Sequence, residues 1–256
     1  MSRDILSRLM PQSHILSKFG VPEVANPEHV KLLEQGPQAF NQWRADHSDV
    51  ALDLEGADLS GLELQQARIR NANLRGARLT DAKLAQASLA KADLQGADLT
   101  GAELGRAILT KANLAGANLT NVNLFWADLR GANLQGATLH WSRAVRASFL
   151  NADLTGADFS QATMIEVDLR NANLSNANFA AANMNGADIS RAVLDGANFT
   201  QAMIRDSMWI MTDMRNANFN KASLHRSDLS MAKYDETTRF PDGFDPQNTG
   251  WKDVVD

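Results

Sequence analysis

The chain has 256 residues, 44% hydrophobic but only 6% aromatic, with a formal net charge of −5. It contains no cysteine, which excludes disulfides and thiolate metal ligands. No apolar run is long enough to span a bilayer, and Asp4, Arg8, Pro11 and His14 break the region where a signal-peptide core would lie, so a cytoplasmic location is the default expectation.

From the N-terminus, residues 1–20 place Ile5, Leu6, Leu9, Ile15, Leu16 and Phe19 among basic residues, a pattern read as a loosely packed helical extension, with a helix for a partner or a membrane surface as the alternative. Asn26-Pro27-Glu28 reads as N-cap, N1 and N2 of a short helix that ends near Gly36. Pro37 opens a second helix with Phe40 and Trp43 on one face, expected to cover the open end of the repetitive region that begins near residue 50. Residues 1–49 therefore form an N-terminal extension with a helical cap.

A five-residue period starts at Leu54 and runs in one phase to Tyr234. Of its 37 positions every one is Leu, Ile, Phe, Met, Trp or Tyr except Ala144. Two residues before each lies Ala in 29 cases, with Leu52, Leu62, Val122, Ser142, Val167, Ser207, Thr212 and Ser227 as the exceptions. The residue between is usually Asp or Asn, as at Asp58, Asn73 and Asp93.

A period of five suits neither a helix nor a long strand. Residues two apart on a strand point the same way, so each unit is a very short strand with one small and one large inward residue. The remaining residues turn a corner, where Asp and Asn bond local backbone. Gly at 56, 76, 96, 116, 136, 156 and 196, with Asn176 and Asn216 on the missing rungs, forms a ladder of period twenty. Four units thus make one coil, and residues 50–234 build an all-β solenoid of about nine coils, on the order of 45 Å long. After Tyr234 the phase stops. The tail, 235–256, holds Phe240, Phe244 and Trp251 with six acids against two bases and is expected to cap the last coil.

Tracts such as Ala92-Asp93-Leu94-Gln95-Gly96 and Ala97-Asp98-Leu99-Thr100-Gly101 resemble the A(D/N)LXX motif of the pentapeptide-repeat family, over about residues 50–234. The resemblance implies a right-handed quadrilateral β-helix. It says little about function: some members resemble DNA and protect or inhibit DNA gyrase, others have no assigned activity.

Little in the chain suggests chemistry. His14, His29, His47, His140 and His225 are scattered without metal-ligand spacing. A Ser-His-Asp set is spatial and has no sequence signature of its own, but a filled Ala/Leu core leaves no pocket for one. Asp168 and Asp188 stack twenty residues apart and are read as corner hydrogen-bonders. The glycines lack a Walker lysine. Sequons such as Asn118-Leu119-Thr120 are by-products of the repeat. No enzyme activity, cofactor or metal is expected, and the rod reads as an interaction scaffold for a protein partner.

Residues 50–234 carry 18 basic and 18 acidic side chains, and no loop interrupts the phase. Both facts argue against a DNA mimic acting on gyrase, which stands as the alternative. No basic stripe is visible, which argues against direct nucleic-acid binding. Two apolar sets break the polar-out pattern. Phe125, Trp126, Trp141, Val145 and Ile165 form a candidate interaction patch beside Ser142 and Ala144, where the core is thinnest. Met203, Met208, Ile210, Met211 and Met231 form a candidate surface either for self-association through the C-terminal coils or for docking of the tail.

Overall fold

The protein, seen in a computed structural model that describes residues 25–247, is a rod of stacked four-sided coils behind two short helices. Helix α1, Pro27–Glu34, begins as its sequence dictates: Pro27 occupies the first turn and the Asn26 side chain accepts from the Glu28 N–H at 3.0 Å. Helix α2, Pro37–Asp46, comes directly after it.

Together they close the N-terminal edge. Phe40 and Leu33 are buried against the first coil, and Trp43 packs on the same core. Polar side chains occupy the strand edge itself. Asn41 accepts from Arg68 N–H (2.8 Å) and donates to the Gln66 carbonyl (3.0 Å), while His29 Nδ1 accepts from Asp53 N–H (3.0 Å). Edge groups that would template another chain are thereby bonded. The residues 1–20 singled out by sequence lie outside the described residues.

Parallel bridges join each middle residue to the one twenty positions on, from Asp53↔Asn73 to Asp213↔Lys233. Each coil therefore holds four units, and each face is identified by its first large residue: Leu54, Leu59, Leu64 or Ile69. The small and large inward residues are buried, Leu99 and Ala97 among them, except for the partly buried Leu62, Ala232 and Tyr234 near the two ends. Each corner closes with a turn bond, as from Ala57 N–H to Leu54 C=O (3.1 Å), and the middle Asp or Asn accepts from the next backbone N–H, as Asp58 does from Ser60 (3.1 Å).

Positive φ proves general rather than confined to the glycine ladder. All 36 corner residues from Gly56 to Met231 are left-handed, and 25 of them are not glycine. At Gly76, Gly96 and Gly116 an added Cβ would meet nothing within 4 Å. Glycine there relieves the roughly 1–2 kcal/mol cost that a side chain brings to this backbone conformation, and no close packing requires it.

From Phe159 onward the Leu59 face switches from leucine to phenylalanine. Phe159, Phe179, Phe199 and Phe219 stack at 4.9–5.2 Å with near-parallel rings, and Phe240 continues the column at 5.8 Å. The repeat therefore does not end at Tyr234. After one inserted residue, Thr238-Arg239-Phe240 re-enters the ladder: Asn218 bridges Arg239, and Phe219 N–H donates to its carbonyl at 2.7 Å. Burial of another ring on the column outweighs the break in phase. The buried Thr238 hydroxyl donates to the Met214 carbonyl (3.1 Å).

Candidate functional site

The mid-rod patch is built by two corners flanking one strand. Phe125 and Trp126 turn the corner after Leu124, and their rings meet edge to face at 6.4 Å. Trp126 N–H donates to Val145 C=O, and Arg146 N–H to Ile165 C=O, which sets Val145 and Ile165 on the next two rungs of that corner. Trp141 turns the preceding corner and leads straight into the Ser142-Arg143-Ala144 strand. Aromatic residues thus border the Leu64 face on both sides, with Asn123, Arg143 and Thr163 as its bridged floor.

Exposure divides the predicted set. Phe125 (43%), Trp126 (48%) and Trp141 (55%) stand out from the rod, while Val145 and Ile165 are half-buried supports. The rings are held rather than loose. Arg146 lies over Trp126 at 5.4 Å and pairs with Glu166, and Trp141 Nε1 donates to Gln161 Oε1 at 2.6 Å. The His140 ring packs on Trp141 at 4.0 Å, its Nδ1 2.8 Å from Ser160 Oγ. His140, read from sequence only as one of five scattered histidines, and Gln161, which attracted no notice, thus belong to the patch. Beneath it Ser142 and Ala144 are wholly buried, and the Ser142 hydroxyl has no hydrogen-bond partner.

The second predicted set is also exposed. Met203, Met208 and Met211 are open to solvent and Met231 is 71% exposed, while Ile210 is half-buried. Met211 N–H donates to Ser230 C=O, which places Met231 directly beyond Met211 on one corner. The rings of the tail go elsewhere. Phe240 stacks on Phe219 and meets Tyr234, and Phe244 stacks on Phe240. For Phe240 and Phe244 the tail-docking expectation is thus corrected: burial on the aromatic column takes them to the end of the core, and Trp251 lies outside the described residues.

Chemistry finds little footing. Asp168 and Asp188 do neighbour each other, but Arg170 donates to Asp168 at 2.8 Å and reaches Asp188 at 3.6 Å. Despite partial desolvation, hydrogen bonds from the Arg170 side chain and backbone hold Asp168 below the usual carboxylate range, the opposite of a general acid. His140 and Ser160 meet, yet the nearby Asp158 accepts from the Ser160 backbone rather than from the imidazole. Among the described residues no group of three or more His, Asp or Glu could hold a metal ion, and no helix is long and apolar enough to cross a membrane.

A filled four-sided β-solenoid with corner-borne outer side chains defines the class: a solenoid repeat protein. The family model for pentapeptide repeats matches eight times, from residues 52–86 to 204–233, and the chain belongs to that family. No curated protein matches it by sequence. Among solved structures it resembles HetL, a pentapeptide repeat protein involved in heterocyst differentiation regulation from the cyanobacterium Nostoc sp. strain PCC 7120 (28% identity, 80% of this chain and 98% of that chain, TM-score 0.35). It also resembles QnrB1, a plasmid-mediated fluoroquinolone resistance protein (19% identity, 73% and 91% covered, TM-score 0.53), a likeness of fold alone. A pentapeptide repeat protein of the Arabidopsis thaliana thylakoid lumen is 31% identical over 41% of this chain and 63% of its own, with a TM-score of 0.13.

Proposed function

We propose that the protein is a non-enzymatic, cytoplasmic scaffold, a right-handed coil by its family membership, that binds a protein partner through the mid-rod aromatic corner. The observation that carries this reading is three large rings, Phe125, Trp126 and Trp141, exposed together at mid-rod, with Trp126 under Arg146 and Trp141 bonded to Gln161. Exposed aromatic clusters anchor protein contacts because they bury much area with few rotatable bonds. The competing role for these rings is to shield the thin core at Ala144. Replacing all three by Ser separates the two. Anchors leave the melting temperature within a few degrees of wild type, whereas shields lower it by ten degrees or more, and that outcome discards the proposal.

A second reading, a DNA-mimicking modulator of gyrase, draws support from the distribution of charge. The units of the Leu54 and Leu59 faces carry ten acidic against five basic residues, and those of the Leu64 and Ile69 faces eight against thirteen. The neutral rod is thus acidic along one side. Arg75 and Arg78 answer Asp93 and Asp58 on that side, which dilutes the mimicry. Weak or no inhibition of supercoiling at micromolar protein is expected. Potent inhibition, lost on reversing Asp98 and Asp158 to Lys, would reverse the ranking.

The exposed methionines suit a second copy of the chain, since adaptable Met surface is common at protein contacts. Met211→Asp should then convert a dimer to a monomer in gel filtration, and a wild-type monomer would end this reading.

A further inference from the structure

The absence of a basic stripe, inferred from sequence, does not survive folding. On the corner between the Ile69 and Leu54 faces, backbone bonds run from Lys91 N–H to Thr110 C=O, from Lys111 N–H to Arg130 C=O and from Arg191 N–H to Ile210 C=O. These bonds interleave two positions of the repeat into one ridge. It carries Arg70, Lys91, Lys111, Arg130, Arg170 and Arg191 and not one acid. At about 4.8 Å per coil the ridge spans about 29 Å.

Its cations differ in pairing. Arg130 and Arg170 are answered by Asp128 and Asp168. Arg68, Arg70, Lys91 and Lys111 are exposed and have no ion pair among the described residues. The neighbouring Arg44, buried in the N-terminal cap, adds to the positive field, and its pKa is lowered first by that burial and then by the Arg70 charge. Beside these cations stands Ile108, 43% exposed, at a middle position where Asp or Asn is usual. Its rung-mates are Ser88 and Asp128.

We infer that this N-terminal half of the ridge, Arg68, Arg70, Lys91 and Lys111 around Ile108, is a docking surface for an extended acidic protein segment that carries an apolar anchor residue. Unpaired cations in a row attract a polyanion and speed its encounter. The choice of protein over nucleic acid rests on Ile108 and on the absence of rings from the ridge. An isolated apolar side chain serves an anchor, whereas single-stranded nucleic acid is held by stacking on aromatic platforms. The surface occupies the Ile69 face and the corner beyond it, whereas Phe125 and Trp126 sit on the corner that opens that face and Trp141 one corner further away, and it is tested by variants that leave those rings in place.

Fluorescence anisotropy with the full-length protein tests this, using a labelled acidic peptide of Glu with interspersed Leu and a labelled oligothymidylate of equal charge. The peptide should bind at low salt and weaken as salt rises. Lys91→Glu with Lys111→Glu should weaken it about tenfold or more, and Ile108→Ser several-fold, with unchanged melting curves. Asp98→Lys on the far side should have no effect. The proposal is overturned if the peptide does not bind, if neither ridge variant matters, or if the oligothymidylate binds more tightly and ignores Ile108→Ser.

Discussion

The coil around Ser142 and the coil around Trp209 both turn a hydroxyl into the core, and they resolve the cost in opposite ways. Ser142 Oγ is buried beside Ala144 with no partner. Ser207 Oγ accepts from Trp209 Nε1 at 2.7 Å, lies 2.8 Å from the Ile204 carbonyl and 2.9 Å from Ser227 Oγ, which reaches the same carbonyl at 2.7 Å. Thr212, also inward, donates to Ile189 C=O at 3.0 Å. The difference lies in whether a partner stands within reach of the hydroxyl: backbone carbonyls serve Ser207, Ser227 and Thr212, and an indole adds a further bond at Ser207. An indole brings an N–H that must be satisfied in a dry core, and Ser207, two residues earlier on the same side of the strand, supplies the acceptor. Ala144 brings nothing for Ser142 to bond. A polar group inside the rod therefore stabilises only where a second polar group is placed to meet it.

The largest expected effect is at Trp209. Its ring packs edge to face on Phe199 and Phe219, both at 5.5 Å, so Trp209→Ala removes those contacts and the indole N–H that donates to Ser207. A loss of about 3–5 kcal/mol is expected in denaturant titration. Ser207→Ala should cost about 1–3 kcal/mol, because it leaves the indole N–H buried and unpaired. Adding Trp209→Phe to that variant should recover much of the loss by removing the orphan donor, and a purely additive double variant would break the account. Ser142→Ala carries the opposite sign. Deleting an unpartnered buried hydroxyl should stabilise by about 1 kcal/mol, and a destabilisation of similar size would show that the hydroxyl has a partner after all.

Acid provides the smallest contrast, since corner carboxylates serve both regions alike. The side-chain hydrogen bond from Arg215 depresses the pKa of Asp213 near Trp209. Asp128, near mid-rod, is partly desolvated, yet side-chain and backbone bonds from Arg130 outweigh that burial and depress its pKa as well. A carboxylate with a lowered folded pKa contributes fully above its unfolded value, near 3.9, and loses that contribution as pH falls through the folded value. Melting temperature should hold from pH 6 to about pH 4 and fall below it, and hydrogen exchange should show both coils loosening together. A coil that tightened in acid would contradict the sign.

Much of this was legible before folding. The alternation of Ala and Leu defined inward and outward, Asn26-Pro27 marked the first helix, and Phe125, Trp126 and Trp141 declared themselves as rings at turn positions. Ser142, Ser207, Thr212 and Ser227 were visible as exceptions, but not which of them was bonded. The basic ridge escaped a scan in steps of twenty because its cations alternate between two repeat positions: Arg70, Arg130 and Arg170 at one, Lys91, Lys111 and Arg191 at the other. Either ladder alone is interrupted by residues such as Ala90 or Gly131.

By itself the sequence determined the period, the four-unit coil and the side of the wall on which each residue falls, because these arise from local backbone geometry and from burial repeated dozens of times. Only the tertiary structure decided the lateral neighbours: the union of two ladders into one charged ridge, the partner of Ser207 and the lack of one for Ser142, and the return of Phe240 to the aromatic column after a one-residue slip. Those depend on side-chain reach and on contacts between residues about twenty positions apart. Each occurs once, and a repeat encodes only what recurs.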